Sequence, residues 1–141
     1  MADSTHTATE RDVLEANAIF YKAFSDGDYA AMAALWAARA PVACLHPAAR
    51  ALIGRSPVLE SWKQILGGAS RFKLRCDQPI AHVVGDTAIV TCYEGAGDQP
   101  AHLAATNVFV LEDGRWRMVH HHVGPVSSPV PAPPSPAFSV N

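Results

Sequence analysis

Three adjacent histidines, His120, His121 and His122, stand inside an apolar segment that begins at Trp116. The imidazole side chain has an ordinary pKa close to neutrality, so it can donate or accept a proton or bind a metal ion at physiological pH. Because alternate side chains of a β-strand point to opposite faces, His120 and His122 must share one face and His121 must take the other. The face that is buried therefore decides which histidines can form a site.

The Asp113-Gly114 turn predicts which face is buried. Asp-Gly between two alternating apolar runs is a strong signal for a β-hairpin. Uninterrupted antiparallel pairing about this turn gives the partners Leu111/Trp116, Phe109/Met118, Asn107/His120 and Ala105/His122. The first two pairs are apolar, so the face that carries them is expected to be buried in the core. His120 and His122 are thus predicted to line an interior cavity with Asn107, while His121 points to the opposite face.

A carboxylate on the preceding strand is predicted to complete the site. Residues 87–94 alternate so that Glu94 shares a face with Ala88, Val90 and Cys92. If this small-residue face packs under the helices, Glu94 reaches the same end of the cavity as His120. Burial raises the pKa of a carboxyl group and suits it to general base catalysis. We therefore predict Glu94, His120 and His122 as catalytic residues, the alternative for Glu94 being a strand-end carboxylate that faces water.

The walls of the cavity are predicted to be aromatic and apolar, with a few polar groups, as is usual for a small-molecule site. Core packing is the alternative role for the aromatic residues on the helices, and a His-Pro pair is also a common way to end a strand. The predicted substrate-binding residues are Tyr21, Trp36, His46, Trp62, Asn107, Phe109 and Met118.

A metal centre is a more specific alternative role for the same residues. His120 and His122, two positions apart, could join Glu94 in an imidazole-carboxylate set. However, any strand with alternate histidines has this spacing, and the three cysteines contain no C-x-x-C pair. We therefore predict neither a metal ion nor another cofactor.

The elements that must position these residues run from helices to strands. Thr7 and Glu10 have capping-box spacing before an apolar stripe, which predicts a first helix that ends near Gly27. Asp28 is expected to cap a short second helix. Residues 42–46 are predicted to form a strand, and Ser56-Pro57 to open a third helix that ends at residues 67–68.

Four alternating runs separated by glycine-containing turns follow the third helix and predict an antiparallel meander. Helices followed by strands indicate the α+β class, with the helices on one face of a curved sheet. Residues 10–125 form the predicted domain, after a disordered N-terminus at 1–9. The proline-rich residues 126–141 are predicted to be a tail that joins no sheet, because proline lacks the backbone N–H.

Composition restricts the partners. A net charge of −2 without a basic stripe argues against nucleic acid. No apolar run is long enough to span a bilayer and no secretory signal region is visible, so no membrane partner is predicted. Three widely spaced cysteines fit reduced thiols in the cytoplasm.

Several motifs give the chain a family resemblance. They are F-Y-x-A-F followed by S-D-G-D (20–28), C-L-H-P (44–47), L-I-G-R-S (52–56) and T-N-V-F-V-L-E-D-G-R-W-R-M-V-H-H-H (106–122). Through them residues 10–125 resemble the nuclear transport factor 2-like superfamily, which includes ketosteroid isomerase and SnoaL-like polyketide cyclases. The resemblance implies a cone-shaped α+β fold. The last motif is similar to the end of the calcium/calmodulin-dependent protein kinase II association domain, whose pocket arginines correspond to Glu94 and Asn107 here.

The superfamily contains isomerases, dehydratases, hydrolases, cyclases and non-catalytic modules, so its fold does not decide the function. The aspartate pattern of ketosteroid isomerase is absent. We expect a domain that binds a small molecule in an interior cavity and acts as a cofactor-free acid–base enzyme on a small apolar substrate. The alternative is a non-catalytic binding or assembly module. A homodimer is expected in either case, through a sheet face that carries Thr106, Val108, Val110, Arg117, Val119 and His121.

Overall fold

The computed structural model describes residues 7–68 and 72–134 of the chain. Within these ranges three helices and six strands follow one another in the predicted order, except that the two-residue strand Leu52–Ile53 was not predicted. No helix within these ranges combines the length and the apolarity needed to cross a membrane. The elements are α1 (Ala8–Asp26), α2 (Tyr29–Leu35), β1 (Ala43–Leu45), β2 (Leu52–Ile53), α3 (Arg55–Leu66), β3 (Leu74–Val84), β4 (Thr87–Ala96), β5 (Ala101–Glu112) and β6 (Arg115–Val130).

The first helix begins and ends where the sequence predicts, and the second begins at the predicted cap. The Thr7 hydroxyl accepts a hydrogen bond from the Glu10 amide at 3.0 Å, and the Glu10 carboxylate accepts one from the Thr7 amide at 2.9 Å. Gly27 takes the left-handed conformation, with φ 67°, and ends α1. The Asp28 side chain then caps α2 by accepting a hydrogen bond from the Ala31 amide.

The start of α3 differs from the prediction. Its N-cap is Gly54, with φ 96°, so Ser56 is not the cap and Pro57 is the third helical residue. Proline is still tolerated there because the first-turn amides have no partner within a helix. The shift makes Arg55 the first residue of α3. Its guanidinium donates hydrogen bonds to the carbonyl oxygens of Trp36 at 2.8 Å and Ala37 at 2.7 Å.

Replacing Arg55 by alanine is expected to lower the free energy of unfolding by about 2 kcal/mol, because charge-assisted hydrogen bonds to carbonyl groups are lost. Arg55→Lys should recover little, since an ammonium group cannot reproduce the fork of the guanidinium. Urea unfolding measures both effects. Arg39→Ala is the matched control: Arg39 pairs with Asp113 in water, so its loss should leave the free energy of unfolding nearly unchanged.

The six strands form one sheet in the order β2-β1-β6-β5-β4-β3. The pairings are antiparallel except for the parallel pair β1 and β6. The N-terminal helices cover the inner face, which we define by Val90, Asn107, Phe109, Met118 and Val123. All five are buried. The predicted α+β class with helices on a curved, mainly antiparallel sheet is confirmed.

The pairing of β5 and β6 shifts register at two points, and the one next to Phe109 determines which side chains reach the site. Phe109 pairs with Met118 as the turn predicts, but the next pair is Val108 with His120, so Val119 is passed over as a β-bulge. From this bulge to Pro125 every side chain of β6 is moved to the other face. Asn107 therefore lies opposite His121, and the predicted orientation of all three histidines is wrong.

The chain ends of the domain also differ from the prediction. Ala8 and Thr9 are helical, whereas residues 1–6 lie outside the described residues. Beyond residue 125, β6 continues to Val130, which pairs with Ala101. The adjacent β1 pairs only as far as His122, so one edge of β6 is open there, and proline is tolerated in edge strands. Residues 135–141 of the predicted tail lie outside the described residues.

Candidate active site

A cavity of about 200 Å³ lies between α1, α3 and the inner face of the sheet. This volume is somewhat larger than the roughly 150 Å³ of an engineered cavity that binds benzene. Most of the lining is aromatic or aliphatic. Its members are Phe20, Phe24, His46, Pro47, Trp62, Ile65, Phe72, Leu74, Glu94, Leu103, His121 and Val123.

A hydrogen-bond network behind the cavity fixes the orientation of His121. The Asn107 amide nitrogen Nδ2 donates to Asn17 Oδ1 at 2.8 Å and to the Tyr21 hydroxyl at 3.2 Å. The amide oxygen of Asn107 therefore faces His121 Nδ1, at 2.5 Å. An oxygen accepts, so Nδ1 must carry the proton. The unprotonated nitrogen of His121 is then Nε2.

The same network reaches Glu94. The Tyr21 hydroxyl donates a hydrogen bond to Glu94 Oε2 at 2.7 Å, and the Cys92 thiol lies 3.2 Å from the Tyr21 oxygen. Burial raises the pKa of Glu94 to about 7, although the Tyr21 hydrogen bond opposes that rise. Glu94 is thus a carboxyl group that can hold or release a proton near neutral pH.

His121 and Glu94 face each other without a direct hydrogen bond. The distance between His121 Nε2 and Glu94 Oε2 is 4.0 Å, and the two side chains are 4% and 5% exposed. Burial lowers the pKa of His121 to about 3, so its imidazole is neutral near pH 7. The Glu94–His121 pair therefore combines a carboxylic acid that can give a proton with an imidazole nitrogen that can take one.

Aromatic rings account for the low polarity around this pair. The centroid of the Phe20 ring lies 4.6 Å from that of His121, and the Trp62 ring lies 5.9 Å from it. His46 packs on Trp62 at 4.8 Å, and its Nε2 lies 3.0 Å from the Ser61 hydroxyl oxygen. Burial also lowers the pKa of His46. Polar atoms are thus few on the cavity wall.

Apart from His120 and His122, the predicted site residues divide into three groups. Glu94, His46 and Trp62 line the cavity. Tyr21 and Asn107 lie behind it and hold Glu94 and His121 through hydrogen bonds. Trp36, Phe109 and Met118 are buried in the core and do not line it.

His120 and His122 were predicted inside the cavity, and that placement is wrong because of the bulge at Val119. Both lie on the other face of the sheet, half-buried and exposed respectively, with ring centroids 6.2 Å apart. They cannot join Glu94 in an acid–base or metal set. Within residues 7–68 and 72–134, no group of three or more ionisable side chains is arranged to hold a metal ion.

Asn17 is the member of the network that sequence reasoning did not single out. It is 1% exposed on α1, between Asn107 and the Cys76 thiol, which its Nδ2 contacts at 3.5 Å. A polar amide within the apolar stripe of a helix was the available signal, because a buried amide requires polar partners.

Comparison with known proteins supports the same fold. The sequence model of the family described as SnoaL-like domain matches residues 13–130. A proposed dehydratase of the NTF2-like family from Streptomyces avermitilis is 31% identical in sequence, with a TM-score of 0.77 over 85% of this chain and 97% of that one. A proposed calcium/calmodulin-dependent protein kinase type II association domain from Thiobacillus denitrificans is 37% identical, with a TM-score of 0.70 over 79% of this chain and 93% of that one.

A curated relative, the F-box protein SKIP8 of Arabidopsis thaliana, is 30% identical over 115 residues, which are 82% of this chain and 50% of that protein. The chain thus spans about half the length of the curated relative that it matches. The family match covers most of the chain, and the resemblance seen in the sequence motifs is confirmed. The chain is a member of the SnoaL-like family and has the nuclear transport factor 2-like fold.

Proposed function

We propose that the chain is a cofactor-free acid–base enzyme that acts on a small, largely apolar molecule bound in the cavity. The observation that carries this proposal is the Glu94–His121 pair, a proton donor and a proton acceptor 4.0 Å apart at the cavity wall. The description of the Streptomyces relative as a proposed dehydratase supports this class of chemistry.

The reaction begins with removal of a proton from a carbon next to a carbonyl group, a step common to isomerases and many dehydratases. His121 Nε2 takes this proton as the C–H bond breaks. The electron pair moves through the new C=C bond to the carbonyl oxygen, and Glu94 gives its proton to that oxygen. Asn107 and Tyr21 act as positioning residues, because they hold the tautomer of His121 and the carboxyl of Glu94.

The cavity is expected to catalyse exchange of the α-protons of cyclohexanone in heavy water. The rate should fall about a hundredfold or more in Glu94→Gln and His121→Ala, as is typical when a general acid or base is removed. It should also fall as pH rises through about 7, because only protonated Glu94 can donate. Proton NMR measures the exchange, with His122→Ala as the control. Equal rates in the wild type and in both cavity variants would contradict the proposal.

The outer face of the sheet favours a second function, a dimeric binding or assembly module. We define this face by Ile80, Val84, Ile89, Val108 and His120. The first three are 52%, 72% and 38% exposed. Solved relatives include an association domain and, for the fold alone, a hub domain from S. rosetta that is 23% identical. Such an apolar sheet face supports a homodimer.

Two residues of the predicted dimer face lie elsewhere. His121 is on the inner face, and Arg117 donates a hydrogen bond to the carbonyl oxygen of Ala34 in α2. His120 and His122 take the place of His121 on the outer face because of the bulge.

Ile89→Asp is expected to convert the homodimer to a monomer, because a charge at the centre of the outer face would be buried without a partner. Sedimentation velocity measures the change at micromolar concentration. Ile19→Asp on α1 is the matched control, since Ile19 is similarly exposed at 48% but lies outside this face. A wild-type protein that sediments as a monomer would rule out the dimer.

The three cysteines are all free thiols. Unpaired thiols are usual in reducing compartments, and this supports the proposal that the protein works in the cytoplasm.

A further inference from the structure

The gap between Glu94 and His121 has the dimensions of one bridging oxygen atom. A distance of 4.0 Å is too long for a direct hydrogen bond between Oε2 and Nε2. An oxygen about 2.8 Å from each atom would close the gap, with an angle of about 90° at the bridging oxygen. Both residues line the cavity, so a ligand bound there lies beside this pair.

The hydrogen-bond network leaves one donor and one acceptor for that atom. The Asn107 amide hydrogens go to Asn17 and Tyr21, and the Tyr21 hydrogen goes to Glu94. His121 uses its Nδ1 hydrogen on Asn107. What remains at the gap is the acid hydrogen of protonated Glu94 and the lone pair of His121 Nε2.

A hydroxyl group matches this pair because its oxygen accepts one hydrogen bond and donates another. A ketone oxygen only accepts, so it leaves Nε2 unpaired. An ammonium group only donates, so it leaves the acid hydrogen unpaired. A carboxylate only accepts and must also be desolvated as an anion.

The lining argues for an uncharged ligand. Among the residues that the structure describes, neither lysine nor arginine lines the cavity, and twelve side chains of mainly apolar character surround it. Transfer of an unpaired charge into such surroundings is strongly unfavourable.

We propose that the natural ligand of the cavity is a small, uncharged alcohol, no larger than about one substituted ring, whose hydroxyl bridges Glu94 Oε2 and His121 Nε2. This inference rests on the proposed function, since it assigns the ligand to the same pair. It adds the chemical class of the ligand oxygen, which the ketone probe of proton exchange does not test.

Four probes with the same ring separate the possible classes: cyclohexanol, cyclohexanone, cyclohexylamine and cyclohexanecarboxylate. Their binding to the full chain at about pH 5.5 is followed by isotope-edited NMR of the His121 ring nitrogens and the Glu94 carboxyl carbon. Cyclohexanol is expected to bind about tenfold more tightly than cyclohexanone, because the ketone leaves Nε2 without a partner. The amine and the carboxylate are expected to bind more weakly than either.

The same titration at about pH 8.5 tests the role of the acid hydrogen. Loss of the Glu94 proton removes the donor, so cyclohexanol should bind about tenfold more weakly there. Other titratable groups surround Glu94, so the variant Glu94→Gln is needed to isolate the contribution of Glu94 to this pH dependence. Glutamine donates from its amide at every pH. The affinity of the variant for cyclohexanol should therefore be the same at both pH values. The other groups are Tyr21 on α1, Cys44 on β1, Cys76 on β3, Cys92 on β4, His121 on β6 and His46 after β1.

Cyclohexanone binding as tightly as cyclohexanol would overturn the inference, and so would tighter binding of the amine at both pH values. Failure of every probe to shift the His121 and Glu94 signals in a natively folded sample would overturn it as well. The two proposals fail separately. Catalysed exchange of cyclohexanone without a preference for the alcohol refutes only the ligand class, whereas the alcohol preference without exchange refutes only the enzymatic function.

Discussion

Glu94→Gln is expected to stabilise the protein by about 3 kcal/mol at about pH 8.5. Burial raises the pKa of Glu94 from 4.5 to about 7, and each tenfold change in proton affinity corresponds to about 1.4 kcal/mol. Because the folded state binds this proton more tightly than the unfolded state, the contribution of Glu94 is full below pH 4.5. It is lost as pH rises through 7.

Glutamine avoids that loss because it has no charge at any pH, and its amide oxygen can still accept the Tyr21 hydrogen bond. The melting temperature of the variant should therefore exceed that of the wild type by several degrees at about pH 8.5 and match it near pH 4.5. Differential scanning calorimetry measures both. Glu60→Gln, an exposed carboxyl on α3, is the control and should change neither value. A variant no more stable than the wild type at high pH would mean that Glu94 is not held as a buried acid.

The elements of the fold were predictable because their signals are local. The capping box at Thr7, the left-handed Gly27 and the Asp113-Gly114 turn each act within a few residues of chain. Sequence patterns that span only a few residues therefore determine where helices and hairpins begin and end. The extension of β6 to Val130 was not predicted because it depends on the pairing with β5 and the open edge beyond β1, which are tertiary features.

The site was only partly predictable because one inserted residue in β6 moves the side chains that follow it to the opposite face of the sheet. Glu94 and Asn107 face the core as expected, but the bulge at Val119 exchanges His121 for its neighbours. The sequence contains one indication of this bulge. Met118 and Val123 are both apolar and both buried, yet an odd spacing separates them, so an uninterrupted strand could not bury both. Which histidine enters the site depends on this shift, so its prediction requires the strand register seen in the structure.

Glu94 and His121 affect stability with opposite signs, and their effects cancel over part of the pH range. Burial lowers the pKa of His121 from 6.5 to about 3, so its contribution to stability is full above pH 6.5 and is lost as pH falls toward 3. Between pH 4.5 and 6.5 the folded pair holds one proton, on Glu94. The unfolded pair also holds one, on His121. Folding then takes up no net proton from the pair, and its contribution to stability is independent of pH.

Each single variant should show a dependence of stability on pH that is cancelled in the wild type. In Glu94→Gln, the contribution of the pair to stability should fall by about 3 kcal/mol as pH drops from 6.5 to 4.5, because His121 is then the only member of the pair that titrates. In His121→Gln, which retains an amide donor for Asn107, stability should fall by a similar amount as pH rises over the same range. Urea unfolding at small pH intervals measures all three slopes. A wild-type slope equal to that of His121→Gln would show that burial does not lower the pKa of the His121 imidazole.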